Sequence, residues 1–258
     1  MAGKSGAEGG AGIDPMHKFE VQPIIELPTV AGIDTSFTNS SLWMVLAVGL
    51  ASLLMITASR RTAIVPGRMQ LMGEMAYSFV ANMIKENVGT EGMKYFPFIF
   101  SLFMFILFCN MLGMLPYSFT VTSHLIVTFA LAATVFLLIT GVGFARHGIG
   151  FLKLFVPSGI PVVLLPLLVV IEVISYLTRP VSLSVRLFGN MMAGHTMLKI
   201  FGGFVVGLGS AGLVPLAIAP FALMVAFTGL ELLIAGLQAY VFTILTCIYL
   251  NEAIHMDH

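Results

Sequence analysis

Long apolar runs, broken by short polar stretches, divide this chain into segments. The first run, Leu42 to Ala58, predicts a helix, with Asn39, Ser40 and Ser41 before it as candidate N-caps. Residues 68–88 mix Met, Leu, Tyr and Phe with Glu74, Lys85 and Glu86. That pattern is too polar to cross a membrane and apolar enough to lie along its surface as an amphipathic helix. An ordinary cytoplasmic helix fits the same pattern equally well. Further runs cover Tyr95–Leu115, ending at Pro116, and Thr122–Ala145. The last third holds two longer ones, Ser158–Phe201 and Gly212–Leu250. As single helices they would measure about 66 and about 58 Å, against roughly 30 Å of hydrocarbon in a bilayer. Each is therefore two short spans or one long tilted helix. Pro180 and Pro220 are the only strong breaks within them, and the glycines 202, 203, 207, 209 and 212 mark the break between them. The preferred reading is a hairpin of two overlong, tilted helices, about 158–201 and 212–250.

Composition turns these runs into membrane spans. Of 258 residues, 58 % are hydrophobic and only 9 % charged, with a formal net charge of +0. Average soluble domains carry about 25 % charged residues, so a soluble enzyme is excluded. No Asp, Glu, Lys or Arg occurs from Tyr95 to Ala145, and from Ile200 to Asn251 there is only Glu231. The fold expected is all-α and polytopic, with upright spans at about 42–58, 95–115 and 122–145 before the tilted hairpin. Arg60, Arg61 and Arg68 follow the first span and Arg146, His147 and Lys153 follow the third, which places both ends inside and the N-terminus outside. Residues 1–25 read as a disordered polar tail without the apolar centre of a secretory signal, and 26–258 as one membrane domain. Cys109 and Cys247 lie in apolar runs and offer neither a disulfide framework nor metal-type spacing. The charge balance is not basic enough for nucleic acid.

The few charges inside the apolar segments carry the chemistry, because an ionisable group in the membrane costs several kcal/mol. On an ideal helix, Arg179 lies about 20° and Glu172 about 40° from the direction of Arg186, so the three share a face. Asn190 is one turn beyond Arg186 on that side, and His195 points the opposite way. Glu172 and Arg186 are about 21 Å apart along the axis, too far for an ion pair. Arg179, next to Pro180, and Lys199, near a helix end, can snorkel to the interface. Arg186 cannot shed its charge and has no acidic residue within two turns, so it must meet water or a carboxylate from elsewhere. Glu231 and Gln238 share a face of the second long segment. A lone buried Glu can be inert and protonated, or it can pair with His195 as a proton relay, since His titrates near neutrality.

Other chemistry is thin. No phosphate-binding loop, metal cluster or nucleophile elbow is present, and neither a cofactor nor a metal is expected. Ser182 and Ser184 lack a third orienting group for hydrolysis. Two other classes compete with a proton carrier: a secondary transporter binding an anion at Arg186, and a passive scaffold.

The run Pro180-Val181-Ser182-Leu183-Ser184-Val185-Arg186-Leu187-Phe188-Gly189-Asn190-Met191-Met192-Ala193-Gly194-His195 resembles the signature of subunit a of F-type ATP synthases. Asn110 to Thr120 also resembles that family, especially its mitochondrial and alphaproteobacterial members. The resemblance covers roughly Phe19 to the C-terminus. It implies a stator subunit, not catalytic by itself, pressed against a ring of c subunits and joined to b-type peripheral-stalk subunits and the rest of the complex. The transported ion would be H+. Arg186 matches the family's essential arginine facing the rotor carboxylates. His195 and Glu231 match positions in the outer half-channel, Glu172 one in the inner half-channel, Asn190 and Gln238 polar positions near the arginine, and Ser182 one toward the inner path. Many bacterial members carry the acid and the histidine in swapped places; the arrangement here is the mitochondrial type. The N-terminal tail favours a bacterial plasma (inner) membrane over an organelle, with the C-terminus inside.

Overall fold

A computed structural model describes residues 23–25, 36–60, 66–115, 118–156 and 164–255. Its helices are α1 (Asn39–Ser59), α2 (Arg68–Asn87), α3 (Phe96–Gly113), α4 (Leu125–His147), α5 (Leu165–Ser210) and α6 (Val214–Ile254). Short 3-10 turns precede α3 (Thr90–Tyr95) and α4 (Val121–Ser123) and follow α4 (Gly148–Phe155). Among the described residues, five helical stretches are long and apolar enough to cross a membrane, those containing α1, α3, α4, α5 and α6. The protein is an all-α, multi-pass membrane protein.

The long C-terminal segments are two continuous helices packed along each other. α5 has 46 residues and α6 has 41, about 69 and about 62 Å. Helices of that length fit a bilayer only when strongly inclined. Pro180 and Pro220 sit inside them; without competing water, a helix in an apolar medium survives the loss of one backbone bond. The glycines required a correction. Gly202, Gly203, Gly207 and Gly209 continue α5, which therefore ends at Ser210 and not near 201. Only Gly212 turns the chain, with a φ of 74° that a side chain would disfavour. Backbone polar groups must be satisfied internally in lipid, so glycine alone does not end a helix there. The expected start of this segment at 158 lies outside the described residues.

Smaller differences have local causes. Thr38, not Asn39, Ser40 or Ser41, caps α1, its hydroxyl accepting the Ser41 N–H. α4 starts at Leu125, not at 122, because Val121–Ser123 form the 3-10 turn. Most of the expected tail, residues 1–22, lies outside the described residues, but Pro23–Ile25 pairs antiparallel with Phe37–Thr38 and so is not disordered tail.

Packing differs from that of a soluble domain at the outer surface, while the centre is apolar in both. The buried centre joins Val80 and Ile84 of α2, Ile99 and Ile106 of α3, Val135 of α4, Leu187 and Met191 of α5 and Phe242 of α6. Apolar side chains also cover the outside, among them Ile126, Leu137, Val206 and Leu233. Buried polar groups instead gather inside: Asn110, Thr120, Thr128, Ser184, Glu231, Gln238 and Thr243. Lipid outside, and polar groups held within an otherwise apolar interior, is the arrangement this distribution serves. α2 buries Val80, Ala81, Met83 and Ile84 against α1, α3 and α6 and leaves Met69, Met72, Met75 and Tyr77 exposed.

Candidate functional site

The charged residues of α5 are sorted onto opposite sides of the helix. His195 points inward, toward α6 and the α3–α4 connection. Its Nδ1 lies 3.1 Å from Oε1 of Glu231, with side-chain exposures of 14 % and 4 %. Its Nε2 lies 2.9 Å from Oγ1 of Thr120. Neither oxygen of the Glu231 carboxylate accepts a hydrogen bond of good geometry from a described protein group. A buried carboxyl group left in that condition calls for a reason.

Gly194 makes room for this pair. A Cβ there would stand 2.9 Å from Oε1 and 3.0 Å from Cδ of Glu231. The carboxyl group therefore rests against bare backbone of α5, next to the histidine it faces.

One and a half turns earlier, Asn190 donates through Nδ2 to Oε1 of Gln238 at 2.9 Å. This polar rung ties α5 to α6 at the level between His195 and Arg186. Deeper in, Asn110 of α3 donates to the Ala235 carbonyl of α6 at 3.1 Å, one turn from Glu231. Thr128 of α4 and Ser184 of α5 share a hydrogen bond of 3.2 Å.

Arg186 lies on the exposed side of α5, following Val181 and Val185, which are about half exposed, and one turn after exposed Ser182. Among the described residues it has neither a hydrogen bond nor an ion pair. The same holds for Glu172, two turns from the start of α5 and partly exposed. The candidates divide accordingly: His195 meets Glu231 and Asn190 meets Gln238 in two separate pairs, whereas Arg186, Ser182 and Glu172 remain separate along the outer side of α5.

Arg179 does not snorkel alone. It pairs with Glu252 near the end of α6, and its guanidinium lies 5.2 Å from the Tyr176 ring and 4.8 Å from the Tyr249 ring. The Tyr176 hydroxyl shares a 2.7 Å hydrogen bond with Thr140 of α4. This cluster clamps α4, α5 and α6 together, which accounts for a charge on the face shared with Arg186.

Comparison with known proteins decides the family. Residues 41–251 match the family described as ATP synthase A chain. The chain belongs to the ATP synthase A chain family. Its relatives match over almost their whole length. ATP synthase subunit a of Parvibaculum lavamentivorans is 58 % identical over 98 % of this chain and 99 % of its own. That of Pelagibacter ubique is 57 % identical over 95 % and 99 %, and that of Rhodospirillum rubrum 57 % identical over 94 % and 98 %. A member of the ATP synthase A chain family is a component of an ATP synthase, and in this one the buried histidine and the outward arginine occupy opposite sides of a single helix.

Three participants in the site carry no charge or hydrophobic pattern that ties them to it. Thr120 lies 75 positions from His195 and sits in a turn with no charge. Gly194 differs from its neighbours only in lacking a side chain. Glu252, near the C-terminus, could be linked to Arg179 only once α5 and α6 were known to lie side by side.

Proposed function

We infer that this chain is the stator subunit that carries protons through the ATP synthase membrane sector, to and from the carboxylates of a c-subunit ring. The observation that carries this reading is Arg186: a permanent cation on the exposed apolar side of α5, without a partner among the described residues. A guanidinium does not neutralise by losing its proton, and in the bilayer it demands an anion. A carboxylate on a neighbouring subunit meets that demand, and the exposed strip Val181, Ser182, Val185, Arg186 is the surface that would face it.

The chemistry then follows. A proton taken up by the His195–Glu231 pair passes to a rotor carboxylate. Once neutral, that carboxylic acid enters lipid far more cheaply than its anion would. The ring turns until the site reaches the Glu172 side, where the field of Arg186 favours the carboxylate and releases the proton. Arg186 keeps its charge throughout and so blocks direct leakage between the two half-channels. The membrane potential supplies about 2.3 kcal/mol per proton per 100 mV, so several protons must be gathered for each ATP. Rotation does the gathering. Asn190 and Gln238 hold α5 and α6 in register beside the arginine, and Ser182 adds a hydroxyl toward the inner path.

In this reading the subunit is not catalytic by itself and binds no cofactor. It spans a bacterial plasma membrane with its N-terminus outside and its C-terminus inside, and b-type stalk subunits hold it against the turning ring. Replacing either member of the buried pair tests it. Membranes carrying His195→Ala or Glu231→Gln should conduct protons at least tenfold more slowly at equal assembly. Unchanged flux across a range of pH in both would refute the path.

A further inference from the structure

Thr120, a neutral side chain in hydrogen-bond reach of the buried pair, has a role to which its chemistry is suited. Thr120 is 5 % exposed. Its Oγ1 lies 2.9 Å from Nε2 of His195 and donates toward the Gly113 carbonyl at 3.3 Å. The described part of the α3–α4 connection bonds around it. Ser123 Oγ donates to the Thr120 carbonyl at 2.6 Å, and Ser118 Oγ donates to the carbonyls of Gly113 at 3.0 Å and Leu115 at 2.7 Å. The Thr120 methyl rests on Gly113, where a Cβ would meet it at 2.8 Å. So much local bonding fixes the position of one hydroxyl against one imidazole nitrogen.

We propose that Thr120 is the positioning residue of the His195 relay: its hydroxyl holds the ring with Nδ1 toward Glu231 and serves as the partner of Nε2 in every protonation state. The proposal rests on the reading of His195 and Glu231 as a proton path. A hydroxyl has one proton and can also accept. When the imidazole is doubly protonated, Nε2–H donates to Oγ1 and the Thr120 proton turns to the Gly113 carbonyl. When Nδ1–H passes its proton to Oε1 of Glu231, that N–H bond breaks, an O–H bond forms on the carboxyl group, and the neutral ring keeps Nε2–H on Thr120. When instead the neutral ring carries its proton on Nδ1, the Thr120 hydroxyl rotates and donates to Nε2. The ring never needs to turn; only a hydroxyl does.

The charged and titratable groups around the ring are few. Glu231 faces Nδ1 from α6. Lys199 is one turn further along α5. His124 opens α4, stacks on Phe119 at 4.8 Å between ring centres and leaves its buried Nε2 without a hydrogen bond. Thr120, four residues before His124, is in hydrogen-bond reach of Nε2 of His195.

The test is proton conduction through the assembled membrane sector, in vesicles stripped of the catalytic head and driven by a potassium diffusion potential. Conduction is followed over a range of pH and normalised to the subunit a and c content of each preparation. Thr120→Val keeps the shape and removes the hydroxyl; Thr120→Ser keeps the hydroxyl. Thr120→Val should lower conductance about tenfold and move its half-maximal pH about one unit toward acid, because the imidazolium loses a charge-assisted acceptor. Thr120→Ser should follow the parent curve. In a His195→Ala background, Thr120→Val should change nothing further. A parent-shaped pH curve in Thr120→Val, whatever its amplitude, would overturn the proposal, as would a displacement in Thr120→Ser equal to that in Thr120→Val. If Thr120→Val does not assemble, Thr120→Ala carries the same comparison. Unimpaired conduction in His195→Ala itself would instead bring down the path and the proposal with it; impaired conduction there with a parent curve in Thr120→Val would bring down the proposal alone.

Discussion

Arg186 and His195, nine residues apart on one unbroken helix, face opposite ways: the arginine lies on the exposed side of α5, and the histidine is buried against Glu231 of α6. An α-helix turns 100° per residue, so nine residues give this opposition without any bend. A permanent positive charge and a titratable pair are thereby held about 13 Å apart along one rigid element. Neither can drift toward the other without moving the helix.

Gly194 is the position where this arrangement has least tolerance. In Gly194→Ala the new methyl would stand 2.9 Å from the Glu231 carboxyl oxygen. Overpacking of this kind costs about 1–3 kcal/mol, and the carboxyl group is what gives way. Proton conductance should fall roughly tenfold in assembled membranes. The double variant Gly194→Ala with Glu231→Asp, whose side chain is one methylene shorter, should conduct better than Gly194→Ala alone.

The Arg179 clamp makes a prediction about stability and none about transfer. Its ion pair with Glu252 is partly exposed, at 21 % and 40 %, so solvent screens much of it. The two tyrosine faces add cation–π attraction. A double-mutant cycle of Arg179→Gln and Glu252→Gln, read from thermal inactivation of the purified complex, should give a coupling of about 1 kcal/mol. The pH dependence of proton conduction should be the same in both single variants.

His124, just ahead of α4, makes the α3–α4 connection sensitive to acid. Burial against Phe119 holds its pKa below the ordinary value of 6.5. The unfolded connection therefore binds a proton more readily than the folded one, and stability present above pH 6.5 declines as pH falls below it. His124→Phe, which preserves the stack, should flatten the loss of thermal stability between neutral and acid pH. An equally steep loss in that variant would place the acid sensitivity elsewhere.

Much of the architecture was legible because lipid imposes simple demands. Spans must be long and apolar, and polar exceptions must have reasons, so the helices and the intramembrane residues Glu172, Arg186, His195 and Glu231 could be singled out by scarcity of charge. Gly202 to Gly209 would break a helix in water, where glycine frees the backbone to hydrate, but not in an apolar medium. What the pattern could not carry was tertiary. Thr120 meets His195 across 75 positions and Arg179 meets Glu252 across 73; both pairings exist only because α4, α5 and α6 pack side by side. The cap at Thr38 and the pairing of Pro23–Ile25 with Phe37–Thr38 are likewise choices between neighbouring polar or extended residues that hydrophobic periodicity does not separate.

The central claim is that Arg186 is the fixed charge through which proton flow is coupled to the ring, and replacing it tests that claim most directly. Proton-driven ATP synthesis should be measured in inverted membrane vesicles carrying Arg186→Ala, with the c subunits and stalk subunits quantified in the same preparation. The account predicts that synthesis disappears while the complex remains assembled. Coupled synthesis at the parent rate in those membranes would contradict it.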